Sequence, residues 1–201
     1  MLTTTIGISG QSGAGKSSLC KDLLSSLSSC NLIHQDWYFK PIDQLAGKSS
    51  FCELDCLYTD NFVSDILALI SGKTIRIYTL DLETFEPNGM VELTPKDFLL
   101  VDGMTIFRIP ELRSAFDISI YLDPGIDELI YRKLIRDLTA RQKSVSEVLF
   151  QLSWLKREYR RDIIEFAQGV NIIEGNVPID ALHDRVMQLI NVSHSYHISY
   201  G

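Results

Sequence analysis

Several features are scarce in this chain, and each scarcity closes off a class of protein. No run of about 18 apolar residues occurs, so no stretch reads as a membrane-spanning helix. The start, Met1-Leu2-Thr3-Thr4-Thr5, lacks the basic flank and apolar stretch of a secretion signal. The expected compartment is therefore the cytoplasm, with no membrane partner. Basic residues are outnumbered, 19 Lys and Arg against 26 Asp and Glu, for a formal charge of −7. Proteins that bind nucleic acid draw most of their affinity from clustered Lys and Arg, so nucleic acid is not an expected partner and any basic patch must be local. Cysteine is limited to Cys20, Cys30, Cys52 and Cys56. The close pair Cys52 and Cys56 has no companion Cys/His pair at zinc spacing, which points to free thiols. Internal repeats, linkers and low-complexity tracts are also missing.

What is present suits one domain with its own core: 201 residues, 45% hydrophobic and 22% charged. Thr5-Ile6-Gly7-Ile8-Ser9 is β-prone, and from Lys16 the apolar positions Leu19, Leu23, Leu24 and Leu27 recur at helical spacing. Leu32-Ile33-His34 predicts a second strand closing at Asp36. A helix is predicted over about 60–71, with Phe62, Ile66, Leu69 and Ile70 inward. Residues 73–93 read as an inserted hairpin turning at Pro87-Asn88-Gly89. Phe98-Leu99-Leu100-Val101-Asp102 and Ile118-Ser119-Ile120-Tyr121-Leu122 are continuously apolar enough to be parallel strands buried on both faces.

Helices are predicted over about 125–141 and 145–168, the second opened by Ser144 and Glu147 in capping-box spacing and stopped at Gly169. A last strand, Val170-Asn171-Ile172-Ile173, precedes a helix that starts at Pro178 and carries Leu182, Val186 and Leu189. Residues 192–201 show no period. The alternation predicts a three-layer α/β/α fold: a mostly parallel five-stranded sheet joined by right-handed crossovers. An inserted hairpin at about 73–95 and a helical lid at about 132–146 complete the expected single domain.

Gly10-Gln11-Ser12-Gly13-Ala14-Gly15-Lys16-Ser17 matches GxxxxGK(S/T) at every fixed position, between a predicted strand and a predicted helix. Such a loop wraps its backbone around phosphates at the positive end of a helix. Gly10, Ser12, Gly13, Ala14, Gly15, Lys16, Ser17 and Ser18 are the nucleotide-binding candidates, with Lys16 on the β and γ phosphates and the Ser17 hydroxyl on Mg²⁺. A dinucleotide fingerprint competes for the glycines. It is disfavoured because the third small position is Ser18 and the Lys-Ser pair has no role there. A guanine-nucleotide switch would need Asn-Lys-x-Asp and Asp-x-x-Gly elements, and neither occurs.

These blocks, in this order, resemble the uridine kinase and nicotinamide riboside kinase group of phosphoribulokinase-like P-loop kinases. The resemblance is carried by Gly7-Ile8-Ser9-Gly10 with the loop, Gln35-Asp36-Trp37-Tyr38-Phe39-Lys40-Pro41, Val101-Asp102-Gly103, and Arg132-Lys133-Leu134-Ile135-Arg136-Asp137. It spans about residues 5–175. It implies transfer of a phosphoryl group from ATP, with Mg²⁺, to a small hydroxyl-bearing substrate such as a nucleoside.

Asp36 stands at the carboxyl edge of the predicted sheet, and by resemblance it is the catalytic base. Asp102 ends the most apolar strand and is expected to hold Mg²⁺, directly or through water. The family more often carries Glu there. Arg132 and Arg136 share a helix face, with Arg141 following. The resemblance makes them a lid whose guanidinium groups meet the transferring phosphoryl, and the bland alternative is a solvated face with a Glu128–Arg132 pair. Lys156, Arg157, Arg160 and Arg161 read as a solvated stripe. Asp55 matches the family aspartate that holds ribose hydroxyls, and Tyr38 and Phe39 either line the acceptor pocket or belong to the core.

The substrate block departs from both subfamilies. Uridine kinases follow the ribose aspartate with His-Pro, where this chain has Cys56-Leu57. Nicotinamide riboside kinases sandwich the ring between two tyrosines, where this chain has Leu54 and Leu138. Glu83, an acceptor-only carboxylate, would favour an amino-bearing or cationic ring. A kinase for another alcohol, such as pantothenate, glycerate or a sugar phosphate, and a non-catalytic ATP-binding regulator both share this nucleotide half.

Overall fold

The computed structural model describes residues 3–45, 54–81, 84–140, 142, 144–166 and 168–200, without the side chains of Ile42 and residues 193–200. Its strands are β1 (Thr4–Ser9), β2 (Cys30–His34), β3 (Ile75–Leu80), β4 (Pro87–Leu93), β5 (Phe98–Asp102), β6 (Ile118–Asp123) and β7 (Asn171–Glu174). Its α-helices are α1 (Lys16–Ser26), α2 (Thr59–Ile70), α3 (Pro110–Ala115), α4 (Ile126–Thr139), α5 (Val145–Arg161) and α6 (Ile179–Tyr200). Five strands build one parallel sheet in the order β2-β5-β1-β6-β7, and β3 with β4 forms a separate antiparallel hairpin. None of the helices is long and apolar enough to cross a membrane, among the described residues.

Successive residues of a strand face opposite sides of the sheet, which is why the unbroken apolar runs are needed. Ile6, Ile8, Leu100, Ile120 and Leu122 meet Leu19 and Leu23 of α1 and Leu182 and Val186 of α6 on one side. Ile33, Leu99, Val101 and Tyr121 meet Phe62, Ile66 and Leu69 of α2 and Leu112 of α3 on the other. This is the predicted three-layer arrangement, with helices on both faces. The strand order reverses direction around β1: the chain passes from β1 outward to β2, and from β5 across β1 to β6. In open α/β sheets the crevice beyond the carboxyl ends at such a reversal is where ligands bind.

Four local expectations need correcting. β2 ends at His34, and Asp36 sits in a 3₁₀ turn, Gln35–Tyr38, because the buried Gln35 side chain pairs with Thr105 and draws the chain off the sheet. Pro87-Asn88-Gly89 does not turn the hairpin; it lies in β4, opposite Thr79 and Leu80. The strands are bridged near the bend by a backbone bond from the Phe85 amide to the Asp81 carbonyl at 2.8 Å, with Phe85 at φ 58°. α5 gives way at Asp162 to a π-helical turn, Asp162–Phe166, before the positive φ of Gly169. Finally, α6 runs to Tyr200 through a segment without apolar period, because a helix packed at its start propagates by its own backbone bonds. The Ser144 and Glu147 capping box forms in both directions.

Of the cysteines, Cys20 and Cys30 are free thiols, both buried as is Cys56, and Cys52 lies outside the described residues. Burial pushes the Cys30 thiol up to about 11.

Candidate active site

The glycine loop joins β1 to α1 and is shaped by left-handed backbone. Gly10, Gly13 and Gly15 have φ of 148°, 95° and 99°, and a Cβ on Gly10 would stand 2.7 Å from the Leu122 carbonyl oxygen. No side chain caps the amino end of α1, and no acidic residue occupies its first turn. That end therefore presents a helix dipole and backbone amides with no carboxylate from the helix's own first turn against them, which suits an anionic phosphate. The Lys16 ammonium reaches back over the loop to the carbonyls of Gly10 (2.8 Å) and Gln11 (3.3 Å). Ala14 is buried under the loop, whereas Ser17 and Ser18 are exposed.

Asp102, at the carboxyl end of β5, faces the first turn of α1: its Oδ2 is 3.4 Å from the Ser17 hydroxyl. A hydroxyl and a carboxylate side by side at the phosphate cradle are hard oxygen donors, the chemistry that Mg²⁺ accepts. The residues present thus fit the cation. Sequence reasoning did not single out His34, whose Nδ1 lies 2.6 Å from Asp102 Oδ1. Burial alone would lower the imidazole's pKa. The hydrogen bond and charge of Asp102, with Asp36 adding to them, outweigh burial and raise it.

Half-buried Asp36 is carried beside this cluster by Gln35. The Gln35 amide donates to Thr105 Oγ1 at 2.8 Å, and its carbonyl oxygen accepts from the Thr105 amide at 3.1 Å. The turn after β2 is thereby bolted to the loop after β5, so Asp36 and Asp102 belong to one framework. Tyr38 is drawn into the core, packed on Phe62 and donating its hydroxyl to Asp65 at 2.8 Å. Its ring belongs to the core. Phe39 stays half-buried and meets Phe85 from the hairpin turn, with ring centroids 5.9 Å apart.

Backbone bonds run from the Lys40 amide to the Cys56 carbonyl (2.9 Å) and from the Tyr58 amide to the Tyr38 carbonyl (2.8 Å). They tie the aromatic segment to the 3₁₀ turn that carries the exposed Asp55. Glu83 and Arg141 lie outside the described residues.

The expected lid arginines reach the loop by different routes. Arg136 donates to Ser12 Oγ at 3.0 Å and to Asp137 Oδ1 at 3.2 Å. Asp137 is fully buried and also accepts from Lys133 Nζ at 2.6 Å. Burial alone would raise its pKa, but the hydrogen bond and charge of Lys133, with Arg136 adding, hold it below the ordinary carboxylate value. Arg132 lies against Gly13 and divides its guanidinium between Glu128 (2.6 Å) and the Gly175 carbonyl (3.2 Å). The Glu128–Arg132 pair weighed as the bland reading is therefore formed.

A second buried chain begins inside the loop. The Gln11 side chain donates to Asp162 Oδ2 at 2.6 Å, and Arg108 binds both Asp162 and Glu158. The inward turn of Asp162 coincides with the π-helical register, and the acid supports the loop from beneath. Arg157 is solvated as expected, stacked on Trp154 at 3.9 Å, whereas Arg161 bends inward to Glu158.

Known proteins resemble this chain in sequence and in fold. The sequence profile described as "Phosphoribulokinase / Uridine kinase family" matches residues 5–181. Uridine kinase of Macrococcus caseolyticus (strain JCSC5402) is 30% identical over 203 residues, covering 94% of this chain and 98% of that protein. Uridine kinase of Staphylococcus carnosus (strain TM300) is 30% identical over 202 residues, covering 94% and 97%. Shikimate kinase from Bacteroides thetaiotaomicron superposes with a TM-score of 0.57 at 18% identity, covering 94% and 98%, a likeness of fold alone. The glycine loop, the parallel sheet and these matches over most of the chain give one conclusion: this protein is a P-loop kinase belonging to the phosphoribulokinase / uridine kinase family.

Proposed function

We propose that this chain transfers the γ-phosphoryl group of ATP to a primary hydroxyl of a nucleoside, of uridine, cytidine or nicotinamide riboside type. The observation that carries the reading is the joint framework of Asp36 and Asp102, bridged by Gln35 and Thr105 beside the glycine loop. In the proposed reaction the substrate oxygen bonds to Pγ as the bond from Pγ to the β,γ-bridging oxygen breaks. The hydroxyl proton passes to the Asp36 carboxylate and ADP departs. Lys16 and the loop amides bind the phosphates. In this reading Arg136, already bonded to Ser12 of the loop, meets charge spread over the phosphoryl oxygens, and Arg132 would join it by leaving Glu128 and Gly175, with Arg141 assigned to the same lid by sequence. Mg²⁺, held by Ser17 and Asp102, would neutralise charge on the phosphate oxygens.

The nucleoside is supported by the names of the relatives above, both uridine kinases. Asp55, with two acceptor oxygens, suits ribose hydroxyls, and Phe39 against Phe85 offers aromatic surface for a base. Glu83 adds a carboxylate that favours an amino-bearing or cationic ring. We assign the whole chain to one kinase domain, with an insert at about 73–95 and a lid at about 132–146, acting in the cytoplasm on a small molecule without nucleic acid or membrane.

The decisive test is Asp36→Asn assayed for ADP release with uridine, cytidine and nicotinamide riboside. Transfer should fall by about 10²–10⁴-fold while ATP binding persists. Near-normal turnover would sink Asp36 as the base, and acceptor-dependent turnover with pantothenate, glycerate or a sugar phosphate alone would replace the nucleoside. Glu83→Gln should change the relative rates among the three nucleosides, and unchanged ratios would remove that residue from base selection.

A further inference from the structure

His34 lies in no nucleotide-binding motif, yet the sheet brings it to Asp102. β2 and β5 are parallel neighbours, and their register pairs His34 directly with Asp102 at the carboxyl end of both strands. The two side chains meet at 2.6 Å, His34 Nδ1 to Asp102 Oδ1. An ionised carboxylate only accepts, so the hydrogen sits on Nδ1 and His34 is the donor. The other oxygen, Oδ2, is the one facing the Ser17 hydroxyl at 3.4 Å. The Asp102 side chain is 6% exposed and that of His34 26%, so this bond is largely screened from water. Trp37 braces the imidazole edge-on, with centroids 4.9 Å apart at 75°.

We infer that His34 is a positioning residue for the cation site: by donating to Oδ1 it fixes the Asp102 carboxylate with Oδ2 directed toward Ser17, and so sets how tightly the divalent cation that accompanies ATP is bound. The inference rests on the assignment of Ser17 and Asp102 as the cation-side oxygens. An aspartate carboxylate turns about a broad torsion when nothing holds it. Its arm is one methylene shorter than glutamate's, so a misdirected oxygen has less reach to recover. Holding one oxygen leaves a single, aimed donor, the service that outer partners give to metal-binding groups elsewhere.

The test measures Mn²⁺ binding to the full chain with a non-hydrolysable ATP analogue, following free Mn²⁺ by electron paramagnetic resonance. Analogue affinity without metal is measured on each variant as the internal reference, so that a general loss of folding appears in both numbers. His34→Phe keeps an aromatic ring beside Trp37 and removes the donor, whereas His34→Asn returns an N–H close to the Nδ1 position. Asp102→Asn reports on the cation site itself. The expected pattern is Mn²⁺ affinity about 10-fold or more weaker in His34→Phe, most of the wild-type affinity in His34→Asn, and unchanged metal-free binding in both. Weak Mn²⁺ binding in Asp102→Asn with wild-type binding in His34→Phe overturns the role of His34 alone. Equal weakening in His34→Phe and His34→Asn also overturns it, since the donated hydrogen would then not be the cause. Wild-type Mn²⁺ affinity in Asp102→Asn overturns the cation assignment and this inference with it.

Discussion

The two halves of the site are built by different means. On the nucleotide side, several basic and acidic side chains pair with one another: Arg136 and Lys133 with Asp137, Arg108 with Asp162 and Glu158, His34 with Asp102. On the proposed acceptor side, the segment around Tyr38 and Phe39 is held by a short backbone bridge to residues 56–58 and by ring contacts to Phe62 and Phe85. A cradle held by charge pairs thus adjoins a segment held by aromatic and backbone contacts.

If this contrast is right, the largest losses come from the cradle. Lys16→Ala should lower kcat for phosphoryl transfer by roughly 10³-fold with little change in thermal stability, and a loss below tenfold would break the comparison. Asp137→Ala leaves Lys133 buried without its carboxylate and should cost about 3–5 kcal/mol in urea unfolding. That stabilisation depends on pH with a definite sign. Because the Asp137 pKa is depressed in the fold, its contribution is complete above the ordinary value of 3.8 and fades as pH falls through the lower, folded value. The stability gap between wild type and Asp137→Asn should therefore narrow below pH 3.8.

Acceptor-side effects should be smaller and selective. Phe85→Ala is expected to raise the nucleoside KM by about threefold to tenfold while leaving the ATP KM alone, and a parallel rise in both would blur the division. Tyr38→Phe should cost about 1 kcal/mol of stability through the lost bond to Asp65, with the acceptor KM nearly unchanged. An acceptor-specific KM effect would place Tyr38 at the pocket.

The cradle was also the legible half of the sequence. The glycine loop, the buried strands and the Ser144–Glu147 cap are local signals, since neighbouring residues dictate each of them. His34 and Asp102 are 68 residues apart and meet only because two strands pair, so no local pattern announces them. Gln35 with Thr105 and Gln11 with Asp162 are invisible for the same reason. The hairpin turn was misread because Pro87-Asn88-Gly89 carries the usual turn residues, whereas the real bend uses Phe85 in a left-handed conformation that favours glycine. Here packing of Phe85 against Phe39 competes with local preference.

The grip of Lys16 on its own loop has a consequence for selectivity. Its ammonium already has two oxygen partners within the fold, the carbonyls of Gly10 and Gln11. An ammonium has three hydrogens to donate, so a guest either displaces these oxygens or adds to them, and a neutral molecule offers only more oxygens of the same kind. A polyanion offers more, because both partners are then charged and Coulomb attraction adds to the hydrogen bond. A side chain so tethered should favour dense negative charge over neutral competitors.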